Sequence, residues 1–377
     1  MNRKQDRRNF LKQASLGAAS IGALGIIGSA EAKAVSESRK QQDAADVVPT
    51  AAQQAWQALG FGMFVHFSIN TFNDTEWSDG TLKVESYNPG TADTDQWCKT
   101  AKAAGMKYVV IITKHHDGFC NWPSKYTDYS VKSTPFGKDL VRMVADSAAK
   151  YGLKLGLYYS LWDRHEKSHD TDEVQYVDYM KNQLEELLTG YGPVVELWFD
   201  GFWKKQSSGW KGADGKTSNP ETMMAAWRNE GSFRWQMDQL YQHIKKLQPD
   251  CMVMNNATTD FPGVPLFPCD IRSGEKATGT AEDRKIWNFA GKDQYLPLQI
   301  ETTMSQQGKD KMFSSGSWFW HEWDHSSASV EMIEGWLEKS KSLKANLLLN
   351  VGPSNKGKLR PEDEKVLLAL GKKLGIK

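Results

Sequence analysis

Val194-Val195-Glu196-Leu197-Trp198-Phe199-Asp200-Gly201 runs apolar almost without a break, then stops on an acid and a glycine. A strand that alternates apolar and polar residues has one wet face. A nearly continuous apolar run is buried on both faces, as in a parallel sheet covered by helices. Working outward from this stretch, similar runs recur at Phe61–Phe67, Tyr108–Thr113, Leu155–Ser160, Met252–Asn255, Leu298–Glu301 and Asn346–Asn350. Between them lie segments of helical period: Asp95–Ala104, Leu140–Tyr151, Glu173–Leu188, Met237–Leu247 and Val330–Leu343. These units, with one more strand hidden near Pro268–Arg272, predict a (β/α)8 barrel of the TIM type, a single catalytic domain over residues 56–377. A doubly wound open sheet competes, but no Gly-x-Gly-x-x-Gly follows any strand. Two polar stretches, Lys204–Trp235 and Gly274–Tyr295, break the rhythm and are read as irregular insertions that wall the site. A last helix is expected at Pro361–Leu374, leaving no room for a C-terminal second domain.

The 377 residues carry a formal net charge of +1, which argues against a nucleic-acid partner. The composition is that of a globular protein, and the unusual figure is 15 Trp. Indoles suit sites that need a flat apolar wall with a polar edge. Residues 1–34 read as a cleaved export leader. Arg7-Arg8-Asn9-Phe10-Leu11-Lys12 is a twin-arginine motif, Ala14–Ala30 a weakly apolar stretch and Ala32-Lys33-Ala34 a small-residue cleavage site. That stretch is too short and too polar to span a bilayer comfortably, so no stable membrane insertion is expected and the product should be periplasmic or secreted. Residues 35–55 read as a polar N-terminal linker. The cysteines, Cys98, Cys120, Cys251 and Cys269, have no CxxC spacing, which makes a zinc site improbable and favours buried thiols.

Polar residues gather where the strands stop: His66, His115-His116-Asp117, Tyr158-Tyr159-Ser160, Asp200, Glu301 and Asn350. In a barrel those ends open on one rim, where active sites sit. A lone Asp at position 200 could simply cap the next helix, but Phe202-Trp203 follow it like a pocket wall, and the catalytic reading is preferred. His115 and His116, adjacent on a strand, should point to opposite sides and so not share a metal ion; neutral imidazoles bonding ligand hydroxyls fit better. No metal or other cofactor is expected. Glu76-Trp77 offers a carboxylate for two vicinal hydroxyls and an indole for the C–H face of a sugar, and Trp122, Trp162, Trp198, Trp318 and Trp320 add aromatic surface. The set describes a saccharide site better than a phosphate site, since no glycine-rich phosphate loop is evident.

Several of these pieces, in order, resemble the α-L-fucosidases of glycoside hydrolase family 29. They are Phe61-Gly62-Met63-Phe64-Val65-His66-Phe67, Glu76-Trp77, Lys114-His115-His116-Asp117-Gly118-Phe119, Leu155-Gly156-Leu157-Tyr158-Tyr159-Ser160, Glu196-Leu197-Trp198-Phe199-Asp200-Gly201 and Asn346–Pro353. The resemblance implies an exo-acting, retaining hydrolase with a covalent fucosyl-enzyme and a fucosylated oligosaccharide or glycoconjugate as its partner. Asp200 would be the nucleophile. His66, Glu76, Trp77, His115, His116, Tyr158, Trp122 and Trp318 would bind the sugar. Tyr158 is preferred over Tyr159 because neighbours on a strand face opposite sides. For the acid/base, Glu275 resembles the family's glutamate in an Arg-containing loop, with Glu301 as the rival. Asn70–Gly80 and Trp162-Asp163-Arg164-His165-Glu166 lean toward the subgroup selective for α-1,3/1,4-linked fucose. The C-terminal β-sandwich of many members is not expected. A catalytically altered glycan-binding relative is the alternative; the oligomeric state is not legible.

Overall fold

The computed structural model describes residues 47–201, 235–256, 263–276, 284–289, 291–308 and 315–376. The expected leader and nearly all of the Lys204–Trp235 insertion lie outside these. In chain order the elements are α1 (Ala51–Gln57), β1 (Phe61–Val65), α2 (Thr94–Ala103), β2 (Tyr108–Lys114), α3 (Leu140–Lys150), β3 (Lys154–Ser160), α4 (Ser168–Thr171) and α5 (Glu173–Gly190). They continue with β4 (Val194–Asp200), α6 (Met237–Leu247), β5 (Met252–Asn255), β6 (Ile271–Ser273), β7 (Ile286–Phe289), β8 (Lys292–Tyr295), β9 (Leu298–Thr303), α7 (Val330–Ser342), β10 (Asn346–Asn350) and α8 (Pro361–Lys373). Eight parallel strands close in the order β1-β2-β3-β4-β5-β6-β9-β10 and back to β1. The expected barrel is present, and its hidden strand is β6.

The strands are buried on both faces because period-2 parity sends alternate residues to two different cores. Phe64, Tyr108, Val110, Ile112, Tyr158, Trp198, Met254 and Leu348 form one cluster with Trp56. Met63, Val65, Val109, Ile111, Leu157, Tyr159, Leu197 and Phe199 join a larger cluster with α2, α3, α5 and α8. Alternation in β2 through β4 is therefore the difference between barrel interior and helix layer. At Gly62 a side chain would meet the Tyr108 ring at 2.5 Å, so only glycine lets that ring fill the interior.

Two boundaries differ from expectation. Residues within the 35–55 linker belong to the fold. Thr50 and Gln53 form a capping box at the start of α1, and Gln53 also reaches the carbonyls of Asp270 and Tyr295. Trp56 then donates to Glu196 Oε2 at 2.8 Å inside the barrel. The stretch Gly274–Tyr295 is not wholly irregular either: β7 and β8 pair there as an antiparallel hairpin. The four cysteines are buried free thiols, as expected.

Lys114, at the end of β2, turns away from the rim. Its Nζ lies 2.8 Å from Asp163 Oδ2, donates to the Tyr176 hydroxyl at 3.2 Å and sits 4.3 Å from the Tyr159 ring centre. Asp163 Oδ1 in turn accepts from the amides of His165 and Glu166. The pair is fully buried, so removing one partner strands the other's charge. Lys114→Met is expected to cost about 3–5 kcal/mol of stability, read from urea unfolding. An unchanged midpoint would show that the pair anchors nothing.

Candidate active site

β4 delivers Asp200 to the carboxyl rim, and Gly201, at φ +75°, turns the chain sharply off the strand where a Cβ would strike Trp162. The loop after β6 delivers Glu275, which is 8% exposed. One side chain joins the two acids. Asn256, just past β5, donates from its Nδ2 to Glu275 Oε2 at 2.6 Å and to Asp200 Oδ1 at 3.2 Å. The two oxygens can thus be no farther apart than the sum of those distances. Glu301, the rival acid, is fully buried beneath them: its Oε2 lies 3.1 Å from Ser273 Oγ and accepts from the Gly274 N–H at 3.1 Å.

The other oxygen of Asp200 accepts from the Tyr158 hydroxyl at 2.9 Å, while Tyr159 points out to Gln183. Of the two tyrosines, Tyr158 is the one whose hydroxyl meets Asp200. The expectation for the histidines does not hold. His115 and His116 lie beyond the end of β2, where the chain has left strand geometry, and their ring centres are 4.1 Å apart. Both face the site: His116 Nε2 is 3.5 Å from Asp200 Oδ2, and His115 packs against Tyr158, His66 and Phe319. His66 Nδ1 lies 2.6 Å from Asn350 Oδ1, which makes Nδ1 the protonated nitrogen and leaves Nε2 an acceptor. Among the described residues no metal-ligating cluster of His, Cys, Asp and Glu occurs.

Glu76 is placed differently from its reading as a free acceptor of two hydroxyls. Its Oε2 accepts from the Trp318 amide at 3.1 Å, and its Oε1 takes the Phe319 amide at 3.2 Å and His321 Nε2 at 2.8 Å. Three of about four lone-pair sites are used on the loop itself. Its neighbour Trp77 does face the site, edge-on to His116 and Trp162 at 5.4 and 5.8 Å. Trp318 lies 5.0 Å from the His66 ring, with the Lys276 ammonium 5.2 Å from its own centre. Trp122 is a correction: it sits in the outer helix-facing core and donates to Glu186 on α5 at 2.9 Å, away from this constellation. Asn256, Lys276 and Phe319 carry no motif that would have marked them beforehand, whereas Asn350 is among the strand-end polar residues.

Burial sets the charge states. It lowers His66 and His116 well below the ordinary imidazole value and His115 to about 3, so all three rings are neutral donors or acceptors at neutral pH. Burial also raises Asp200. Glu275 is raised to about 7, first by burial and then by the charge of Asp200. Two carboxyls this close cannot both ionise easily, which leaves one nucleophilic and one proton-bearing.

A family model described as alpha-L-fucosidase matches residues 27–377. Alpha-L-fucosidase 1 of Arabidopsis thaliana is 32% identical over 334 residues, which cover 85% of this chain and 59% of the relative. A glycoside hydrolase 29 family member from an unknown rumen bacterium superposes with a TM-score of 0.69 at 29% identity, over 87% of this chain and 57% of that one. Alpha-L-fucosidase isoenzyme 1 from Paenibacillus thiaminolyticus gives 0.67 at 29% identity, over 86% and 75%. The chain thus spans about three fifths of the length of the plant relative it matches.

Because the charge of Asp200 helps to hold the proton on Glu275, Asp200→Asn is expected to lower the Glu275 titration midpoint from about 7 toward the ordinary carboxylate range. Carbon-13 NMR of labelled glutamate follows it. A midpoint that does not move would mean the two acids are not electrostatically paired.

Proposed function

The chain belongs to the alpha-L-fucosidase family, and from that premise we propose that it is an exo-acting retaining hydrolase of terminal α-L-fucose on glycans. The reading is carried by the single amide that donates to Asp200 Oδ1 and Glu275 Oε2 at once. That bound on the facing oxygens is compatible with the roughly 5–5.5 Å of retaining enzymes and favours them over the roughly 6.5–9.5 Å that admits a water in inverting ones. Asp200 attacks the anomeric carbon as Glu275 gives its proton to the leaving oxygen, and an aspartyl ester of the sugar forms. Glu275, now ionised, takes a proton from water; the water oxygen displaces Asp200 and the sugar leaves with its configuration kept. Tyr158 holds Asp200 in the attacking orientation and limits its basicity. His66, His115 and His116 supply uncharged donors and acceptors for the sugar hydroxyls, and Trp77 and Trp318 its apolar walls. Glu76 acts through Trp318, whose backbone it fixes.

Trp77, Trp162 and Arg164 stand together beside the site, the Arg164 guanidinium 5.1 Å from the Trp162 ring centre. The resemblance of Asn70–Gly80 and Trp162–Glu166 to the α-1,3/1,4-selective subgroup supports a preference for branched glycans bearing such fucose. The leader motif Arg7-Arg8-Asn9-Phe10-Leu11-Lys12 supports twin-arginine export with cleavage after Ala34. The described residues contain no helix long and apolar enough to cross a membrane.

Fucose release from a panel of α-1,2-, α-1,3-, α-1,4- and α-1,6-fucosylated oligosaccharides tests activity and linkage together. Asp200→Ala is expected to lose about 10⁴-fold or more in kcat. Azide should restore turnover of an activated aryl fucoside to Glu275→Ala and yield the azide of retained configuration. Rescue of Glu301→Ala in place of Glu275→Ala would move the acid/base to Glu301. Glycan binding with no hydrolysis would leave a lectin-like relative. N-terminal sequencing of the exported protein should begin at Val35; an intact Met1 would remove the export reading.

A further inference from the structure

The hydroxyl of Ser273 has one proton and two oxygen neighbours. Its Oγ is 3.0 Å from Asn256 Oδ1 and 3.1 Å from Glu301 Oε2. An amide oxygen can only accept, and so can an ionised carboxylate. With Glu301 ionised, one of these two contacts would set lone pair against lone pair among three buried side chains. Turning the Asn256 amide over does not help. Its oxygen would then stand against the Asp200 carboxylate, which lies 3.2 Å from the present nitrogen.

One placement of protons satisfies each of these contacts. Glu301 carries a proton on Oε2 and donates to Ser273. Ser273 donates to Asn256 Oδ1. The two N–H bonds of the Asn256 amide then point at Glu275 and Asp200. Building on the assignment of Asp200 and Glu275 as the reacting pair, we propose that Glu301, Ser273 and Asn256 form a one-way hydrogen-bond chain in which a neutral Glu301 fixes the direction and Asn256 is the positioning residue for both acids.

The surroundings agree with a neutral Glu301. It is fully buried, and among the described residues no Lys or Arg pairs with it. Burial raises it well above the ordinary carboxylate value, and the nearby Glu275 and Glu196 add to that. Trp198 Nε1 reaches its other oxygen at 3.4 Å. Glu275 faces Asp200, Lys276, Tyr158 and Glu301; Asp200 faces Tyr158, His116 and Asn256. Of the hydrogen bonds to Glu275, the Asn256 amide is the one that favours its ionised form. Losing that donor therefore raises both acids.

The test joins kinetics with a spectroscopic readout. Asn256→Ala is expected to lower kcat about tenfold to hundredfold, the cost of a charge-assisted hydrogen bond, with KM changed less and both limbs of the kcat/KM profile displaced to higher pH. Ser273→Ala should move the profile the same way by less. Glu301→Gln keeps an uncharged donor to Ser273 but sets its amide nitrogen against the Gly274 N–H, so its loss in kcat should be no greater than that of Ser273→Ala, which Glu301→Ala should match. Infrared difference spectra at neutral pH, wild type against Glu301→Gln, should show the loss of a protonated carboxyl band. Loss of an ionised carboxylate band, or a Glu301→Gln variant as inactive as Asp200→Ala, would overturn the chain. A wild-type protein that cleaves no α-L-fucoside would instead sink the functional reading, and the infrared band would still decide the protonation of Glu301.

Discussion

Two carboxyl groups held side by side in a dry barrel mouth cannot both carry charge, and the rest of the site is arranged around that constraint. In water, counter-ions and solvent would relieve the repulsion between Asp200 and Glu275. Here the groups in contact with them are mostly uncharged: the Asn256 amide, the Tyr158 hydroxyl and the His116 imidazole. Burial keeps that imidazole neutral, so it cannot cancel the field of the nucleophile. Lys276 is the one nearby cation among the described residues that lowers Glu275, and burial weakens its own hold on a proton. Its ammonium is occupied at 2.6 Å by the carbonyl of Gly316. The proton on Glu275 is thus retained by the absence of compensation rather than by any special ligand.

The barrel produces this arrangement through parity. Along β3 and β4, every second residue turns inward, so Tyr158, Trp198 and Asp200 share one side, and Tyr159 and Phe199 join the helix-facing core. Tyr158 and Trp198 stack at 5.3 Å between ring centres, a stiff floor for the acid above them. Deeper down, Glu196 accepts from both Trp56 and Gln299 at 2.8 Å and closes the amino end of the interior with a buried carboxyl raised by burial to about 7. The mouth carries its acids above a polar plug tied together through Glu196 Oε2, while Glu196 Oε1 and Gln299 Oε1 are buried without a hydrogen-bond partner among the described residues.

The parts of this that are legible in the sequence are those governed by periodicity. Continuous apolar runs give seven strands, and the step from Tyr158 to Tyr159 decides which hydroxyl meets Asp200. Where the chain leaves regular geometry, periodicity stops being informative. His115 and His116 follow the last residue of β2, and their rings converge where alternation would separate them. Trp122 illustrates the opposite failure: it stands near a motif whose two histidines reach the rim, but an indole has no preference between a sugar and a carboxylate on a neighbouring helix. β6 has only three residues, and Ser273 and Asn256 sit at the ends of β6 and β5 as ordinary small polar residues. Their importance comes from distances across the barrel, between segments far apart in sequence, and no single-sequence pattern encodes those.

Glu76 carries the last step, because its motif is conspicuous and its role is indirect. A carboxylate beside a tryptophan invites a reading as a sugar ligand, yet its oxygens are spent on the Trp318 and Phe319 amides and on His321. His321 also meets Asp74 at 2.7 Å, and although burial works against its charge, the two carboxylates outweigh it and hold its value above the usual one. Asn350, at the end of β10, takes the Trp318 carbonyl and His66 Nδ1 with the two ends of one amide. Loops that follow β1 and β9 are therefore locked to each other and to β10. The indole of Trp318 and the imidazole of His66 stand 5.0 Å apart as a consequence. A wall fixed in this way spends no ligand binding energy on ordering the loop. That leaves the binding energy of the remote sugar hydroxyls available for the reacting carbon, between two acids whose own geometry is set from the other side of the barrel.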